Sequence, residues 1–149
     1  MASTNAPNVP DGHLTQLREE WNERLRKLVD QVNDWSRELD WSTREISKTL
    51  DDAELGPHQV PVLVLQRETA RVLLEPIARL APGAEGVVDL YLLPAYDDIA
   101  SLYYCDGVWQ LHYMGPNDPT VATIRSAKST PLTKDSLQMV IEEMKNNAA

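Results

Sequence analysis

The stretch LYYCDGVWQLHY, residues 102–113, sets the architecture of this chain. Two alternating runs flank Asp106-Gly107, the dipeptide favoured in a two-residue type I′ turn because both central residues need positive φ. The turn predicts strands over 99–105 and 108–114 and fixes their register. Cys105 falls opposite Val108, Tyr104 opposite Trp109, Tyr103 opposite Gln110, Leu102 opposite Leu111, and Ser101 opposite His112. Side-chain alternation then puts Leu102, Tyr104, Trp109, Leu111 and Tyr113 on a core-facing side. Ser101, Tyr103, Cys105, Val108, Gln110 and His112 share the other.

The same register separates the pair that looks most reactive. Cys105 is the only cysteine, and His112 lies on its face, but four residues of strand put them roughly 13 Å apart. Thiol activation needs hydrogen-bond reach, so no Cys–His dyad forms within this hairpin. Ser101 faces His112 directly, with Asp97 and Asp98 a few residues upstream, which supplies the parts of a nucleophilic triad. A flat sheet face offers neither a strained nucleophile turn nor an oxyanion hole. Ser101, Tyr103 and His112 therefore stand as a candidate polar surface site, and a small hydrolase centred on His112 with Ser101 is an alternative function.

Outward from the hairpin, residues 60–66, 70–80 and 87–93 read as short apolar strands. Pro76 argues against a helix there and marks an edge or a bulge. Residues 115–119 form a loop, and 121–127 alternate weakly as a further edge strand. The connections are too short for parallel crossovers, so the sheet is expected to be an antiparallel meander of five to six strands. A C-terminal helix packed on the sheet closes the chain. Thr133 caps it, Leu132 staples to Leu137, and Leu137, Val140, Ile141 and Met144 make its inner face.

The N-terminal half carries a different period. Leu14, Trp21, Leu28 and Trp35 recur every seven residues, as do Leu25, Val32, Leu39 and Ile46, four positions later. Together they form one helical stripe. The reading is a long amphipathic helix over 12–54, continuous or gently kinked at 40–42, where Ser42 and Glu45 have the form of a capping box. Gly56 and Pro57 supply the stop. Such a helix would be about 60 Å long, in a domain whose radius of gyration is about 15 Å by size alone. Part of the stripe should then pack on something else. Trp21, Leu25, Leu28, Val32, Trp35, Leu39 and the off-stripe Trp41 are the candidate partner-binding residues. The positions flanking the stripe lack the paired charges of a parallel zipper.

Composition limits the remaining classes. The chain has 149 residues and no phenylalanine, enough for a single domain in which residues 58–149 join the long helix. Residues 1–11 read as a disordered tail without signal or anchor character. A lone cysteine fits a reducing compartment, and no apolar run approaches the length of a membrane span. The expectation is a cytoplasmic protein with no membrane partner.

Net charge is −9, from 23 acidic and 14 basic side chains spread over both halves. That gives no electrostatic support for nucleic-acid binding. His13, His58, His112 and Cys105 show no ligand spacing for zinc, and the DDAE run at 51–54 fits turn chemistry, so no metal or cofactor is expected. The leading function is a non-catalytic protein-interaction module, an adaptor or accessory subunit, whose striped helix self-associates or docks on a protein partner. Besides the hydrolase, an acidic inhibitor of the immunity, antitoxin or nucleic-acid-mimic kind is an alternative.

Overall fold

The computed structural model describes residues 11–94, 98–114 and 129–148. Helix α1 (Asp11–Glu38) leads into strands β1 (Ser42–Leu50), β2 (His58–Arg67), β3 (Ala70–Ala78) and β4 (Val87–Leu92). Strands β5 (Ile99–Cys105), β6 (Val108–Met114) and β7 (Ser129–Pro131) follow, and helix α2 (Lys134–Asn147) ends the chain. The seven strands lie in chain order in one antiparallel sheet. This is the α+β meander between two helices that the sequence predicts, with seven strands instead of five or six. Of the expected tail over 1–11, residues 1–10 lie outside the described residues, as do the loop at 115–119 and the strand at 121–127, while Asp11 is the first residue of α1.

The extra N-terminal strand corrects the helix. The predicted helix over 12–54 ends at Glu38, and residues that looked like its second half are β1. The stop is a Schellman-type cap. Asp40 takes the left-handed conformation, φ 71°. The Trp41 N–H donates to the Ser36 carbonyl at 2.9 Å, and the Asp40 N–H to the Arg37 carbonyl at 3.1 Å. Glycine usually fills that position, but aspartate tolerates it better than most residues. Ser42 and Glu45 are therefore strand residues and not a capping box. Ile46, in phase with the stripe by spacing, projects from β1 and is 42% exposed.

The hairpin register holds pair by pair, from Ile99 opposite Met114 to Cys105 opposite Val108. Asp106 and Gly107 both take positive φ, 52° and 81°, as the turn requires. Pro76 sits at an irregularity, where the register of β3 on β4 shifts between Pro76 and Ala78. Thr133 caps α2 by accepting from the Ser136 N–H at 3.1 Å, while the Ser136 hydroxyl accepts from the Thr133 N–H at 2.8 Å.

Both helices feed the same core. Trp21, Leu25, Leu28 and Val32 of α1 and Leu137, Val140, Ile141 and Met144 of α2 cluster with Leu63, Val72, Leu90, Leu102 and Leu111 of the sheet. The cross-strand pairs Leu63–Leu74, Leu74–Leu90, Leu90–Ala100 and Leu102–Leu111 show that these residues share one face. Trp21 crosses the end of this face against the backbone of Gly86. A Cβ at Gly86 would lie 3.2 Å from Trp21 Cζ3 and 3.0 Å from Trp109 Cη2, so the close approach needs glycine. Two acids, Asp98 fully buried and Asp52 mostly so, tie loops to the core. Asp98 accepts from the Tyr113 hydroxyl at 2.7 Å and from Asn147 at 3.0 Å. Asp52 pairs with Arg79 at 2.9 Å. Among the described residues no helix is long and apolar enough to cross a membrane.

Candidate functional site

On the face opposite the core, successive partners on β3 to β7 are Glu75, Asp89, Ser101, His112 and Ser129. Directly opposed residues point the same way, so these five form a polar row across the sheet. Lys48 of β1 donates to Glu75 Oε2 at 2.8 Å, and the Tyr91 hydroxyl donates to Glu75 Oε1. Ser101 Oγ donates to Asp89 Oδ1 at 3.0 Å. Tyr103 meets the His112 ring edge-on, with centroids 5.1 Å apart.

Neighbouring carboxylates in this row are driven apart in pKa. Burial raises Asp89 above the usual aspartate range, the charge of Glu75 adds to the rise, and the Ser101 hydrogen bond only partly opposes it. Burial also pushes Glu75 up, but the hydrogen bonds from Lys48 and Tyr91 outweigh it and leave Glu75 below its ordinary value. Desolvation lowers His112 and favours its neutral form. Its Nδ1 is buried without a hydrogen-bond partner.

The sequence places Ser101, Tyr103 and His112 together correctly, and the geometry then defines what they can do. Ser101 gives its hydroxyl proton to Asp89 and not to His112, so no base is aligned on a nucleophile. Asp98, a triad candidate by sequence, accepts from Tyr113 and Asn147 instead. Cys105 Sγ contacts the Gly83 carbonyl at 3.3 Å, at the turn end of the hairpin. Among the described residues no group of three or more His, Cys, Asp or Glu side chains is arranged to hold a metal ion. Apart from His112 Nδ1 the row is a hydrogen-bonded polar ladder, and its like-charge contact is Asp89 beside Glu75. Asp89→Asn keeps an acceptor for Ser101 and removes the like-charge contact. We expect a thermal midpoint at pH 7 a few degrees higher. Since the folded-state pKa of Asp89 is raised, the wild type regains that stability as pH falls through it, and the two proteins should converge below about pH 4. Melting curves at both pH values check this.

The partner-binding candidates divide differently. Trp21, Leu25, Leu28, Val32 and Trp41 are all at most 3% exposed and belong to the chain's own core. Packed against the sheet and α2, these five side chains present almost no surface to a partner. Trp41 leaves the helical phase because the cap at Asp40 turns it inward. Its indole N–H is buried without a partner, a cost of about 1–3 kcal/mol that burial of the ring offsets. Trp35 and Leu39 are only partly buried.

Trp35 instead lines a groove of about 420 Å³ on the helix side of the sheet. One wall is a strip of α1, Arg24, Lys27, Leu28, Gln31 and Trp35. The other is the β5–β6 hairpin tip, with Tyr104, Gly107, Val108 and Trp109, closed by Leu132. The Leu132 N–H donates to the Trp109 carbonyl at 2.9 Å and fixes that end. The Arg24 guanidinium stacks 4.3 Å from the centre of the Tyr104 ring, and its Nη1 donates to the Glu85 carbonyl at 2.8 Å. A second hollow of about 410 Å³, by Gln66, Thr69, Arg71, Leu93 and Pro94, has no aromatic side chain among its described lining residues.

Sequence reasoning missed Lys48, Glu75, Tyr91 and Asp89, which need the registers of β1 to β5. It also missed the groove, which joins residues far apart in the chain. An exposed Val108 on a strand beside an inward Trp109 was its one local trace. Comparison with known proteins finds no matching family, no matching curated protein and no matching solved structure.

Proposed function

We propose that this chain is a non-catalytic interaction module, an adaptor or accessory subunit, that docks on a protein partner through the groove between α1 and the β5–β6 hairpin. The observation that carries this reading is the groove's lining. Trp35 and Trp109 pack against the core yet remain partly accessible, beside Val108 at 44% exposure. Aromatic walls in a preformed cleft are the usual seat of binding energy at protein interfaces. The docking surface thus moves from the helix stripe to its flank. A reducing, cytoplasmic setting suits the unpaired Cys105, and the reading requires no cofactor.

Val108→Asp tests it. The side chain is at the hairpin tip, so folding should survive, and circular dichroism should show an unchanged melting transition. Val108 alternates to the face opposite Trp109 and meets the groove only at its hairpin-tip rim. A charge there should weaken binding of a partner that crosses the rim by about tenfold or more, equivalent to ~1.4 kcal/mol. In parallel affinity purifications from the cells that express the protein, at least one protein should be retained by the wild type and depleted with the variant. Identical retention overturns the reading.

A further inference from the structure

Resting on that docking reading, we infer that the groove's occupant is a partner segment presenting an acidic side chain beside a bulky apolar one. The chain as a whole repels such a ligand, with 23 acidic against 14 basic side chains. The groove does not. Among the described residues its charged lining is Arg24 and Lys27, both cationic, with no acid.

The two cations also lie at one end. Along α1 the lining runs from Arg24 and Lys27 through Gln31 to Trp35, and Trp109 and Leu132 close the apolar side. Arg24 is held in place by the Tyr104 ring and the Glu85 carbonyl. Its guanidinium has five N–H donors, so the bond to Glu85 leaves others for a carboxylate at little ordering cost. Lys27 has one weak contact, 3.4 Å from Glu23, and both side chains are mostly exposed. A surface pair of that kind contributes little and exchanges readily. Glu20 and Glu23 line the adjoining hollow with the same two cations. They repel a carboxylate that reaches past Arg24 and so confine it to the groove side.

Spacing sets the ligand's pattern. Lys27 and Trp35 are separated by about 12 Å of helix, which three to four residues of extended chain span. The acid and the apolar anchor should therefore be three or four positions apart, with Gln31 beneath the intervening backbone.

The test uses the full chain, labelled with nitrogen-15, and two acetylated pentapeptide amides. One has glutamate first, two serines, then two leucines; the other replaces glutamate with lysine. The glutamate peptide should shift the indole N–H signals of Trp35 and Trp109 and the amide of Gly107, with a Kd about tenfold lower than the lysine peptide. Adding salt should erode that preference. Arg24→Gln also loses its contacts to Tyr104 and Glu85, so Lys27→Gln carries the argument: its side chain is 76% exposed. In that variant the preference should fall by about half or more on a logarithmic scale, because one of two cations is gone.

Equal or tighter binding of the lysine peptide overturns the inference, as does binding that leaves these signals unmoved. Shifts of the same signals with protein concentration alone, which would seat a second copy there, also overturn it. If the glutamate preference is absent while Val108→Asp still depletes a protein from the purification, the ligand chemistry is wrong and the docking reading stands. If both fail, the docking reading falls too.

Discussion

Trp21→Ala should lower the thermal midpoint by roughly 10 °C, the larger of the two effects expected from single changes in α1. The indole is 1% exposed and sits between the α1 backbone, Gly86 and the end of β2. Its Nε1–H donates to His58 Nε2 at 3.1 Å, while His58 Nδ1 lies 2.9 Å from the Gly56 carbonyl. That pairing fixes the imidazole as a neutral acceptor on Nε2 and a donor on Nδ1. Truncation removes the ring's buried area and leaves a cavity whose walls are the sheet, which cannot collapse. Losses of this kind cost about 3–5 kcal/mol. Trp21→Phe keeps most of the packing and loses the hydrogen bond, for about 1 kcal/mol. Trp35→Ala, two heptads further along the stripe but on the groove wall, should cost less than Trp21→Ala. A melting series on the three variants decides between core and docking roles. Equal midpoints for Trp21→Ala and the wild type would show that Trp21 is not a core anchor.

The contrast between Trp21 and Trp35 marks where sequence reading stops. Heptad spacing correctly put both on one helical stripe, but spacing says nothing about how far the covering sheet extends. The hairpin was legible to the residue because Asp106-Gly107 determines both the turn and the pairing around it. The end of α1 was not, because its cap uses an aspartate at a position where glycine is the recognisable signal. Leu39 and Ile46 kept the helical spacing by coincidence across that break. The polar row was half legible: Ser101 and His112 follow from the hairpin, but Asp89 and Glu75 follow only from the β4–β5 and β3–β4 registers. Those registers depend on connections of six to eight residues with no two-residue turn to set the pairing, and Pro76 marks an irregularity without saying by how much the register shifts. The hydrolase alternative turns on Asp89, which accepts the hydrogen bond of the Ser101 hydroxyl and which the hairpin alone does not reveal.

Arg79→Ala should destabilise the protein by about 3–5 kcal/mol at pH 7, and most of that penalty should vanish in acid. Arg79 is 7% exposed, and its side chain reaches back from the end of β3 to the β1–β2 connection. Nε donates to Asp52 Oδ2 at 2.9 Å, and Nη2 donates to Asp52 Oδ1 at 3.3 Å and to Glu54 Oε1 at 2.6 Å. Asp52 Oδ1 also accepts the backbone N–H groups of Glu54 and Leu55, at 2.9 and 2.8 Å. One carboxylate thus organises the turn that lets β2 return along β1. Glu54 is half exposed and contributes little by comparison. Burial alone would raise the pKa of Asp52, but Arg79 and the two backbone donors outweigh it and hold the group below its ordinary value. In the wild type this contribution is therefore present above about pH 3.9, the unfolded value, and is lost as pH falls through the lower folded value. Without Arg79 the burial effect is opposed by the backbone bonds alone, and a carboxylate is left in a site built for a pair. Acid relieves that variant by protonating Asp52 while it weakens the wild type. Urea midpoints at pH 7 and pH 3 measure both limbs. A gap between the proteins that stays constant across this range would mean that Arg79 acts through packing of its stem, and the electrostatic account of the β1–β2 turn would fail.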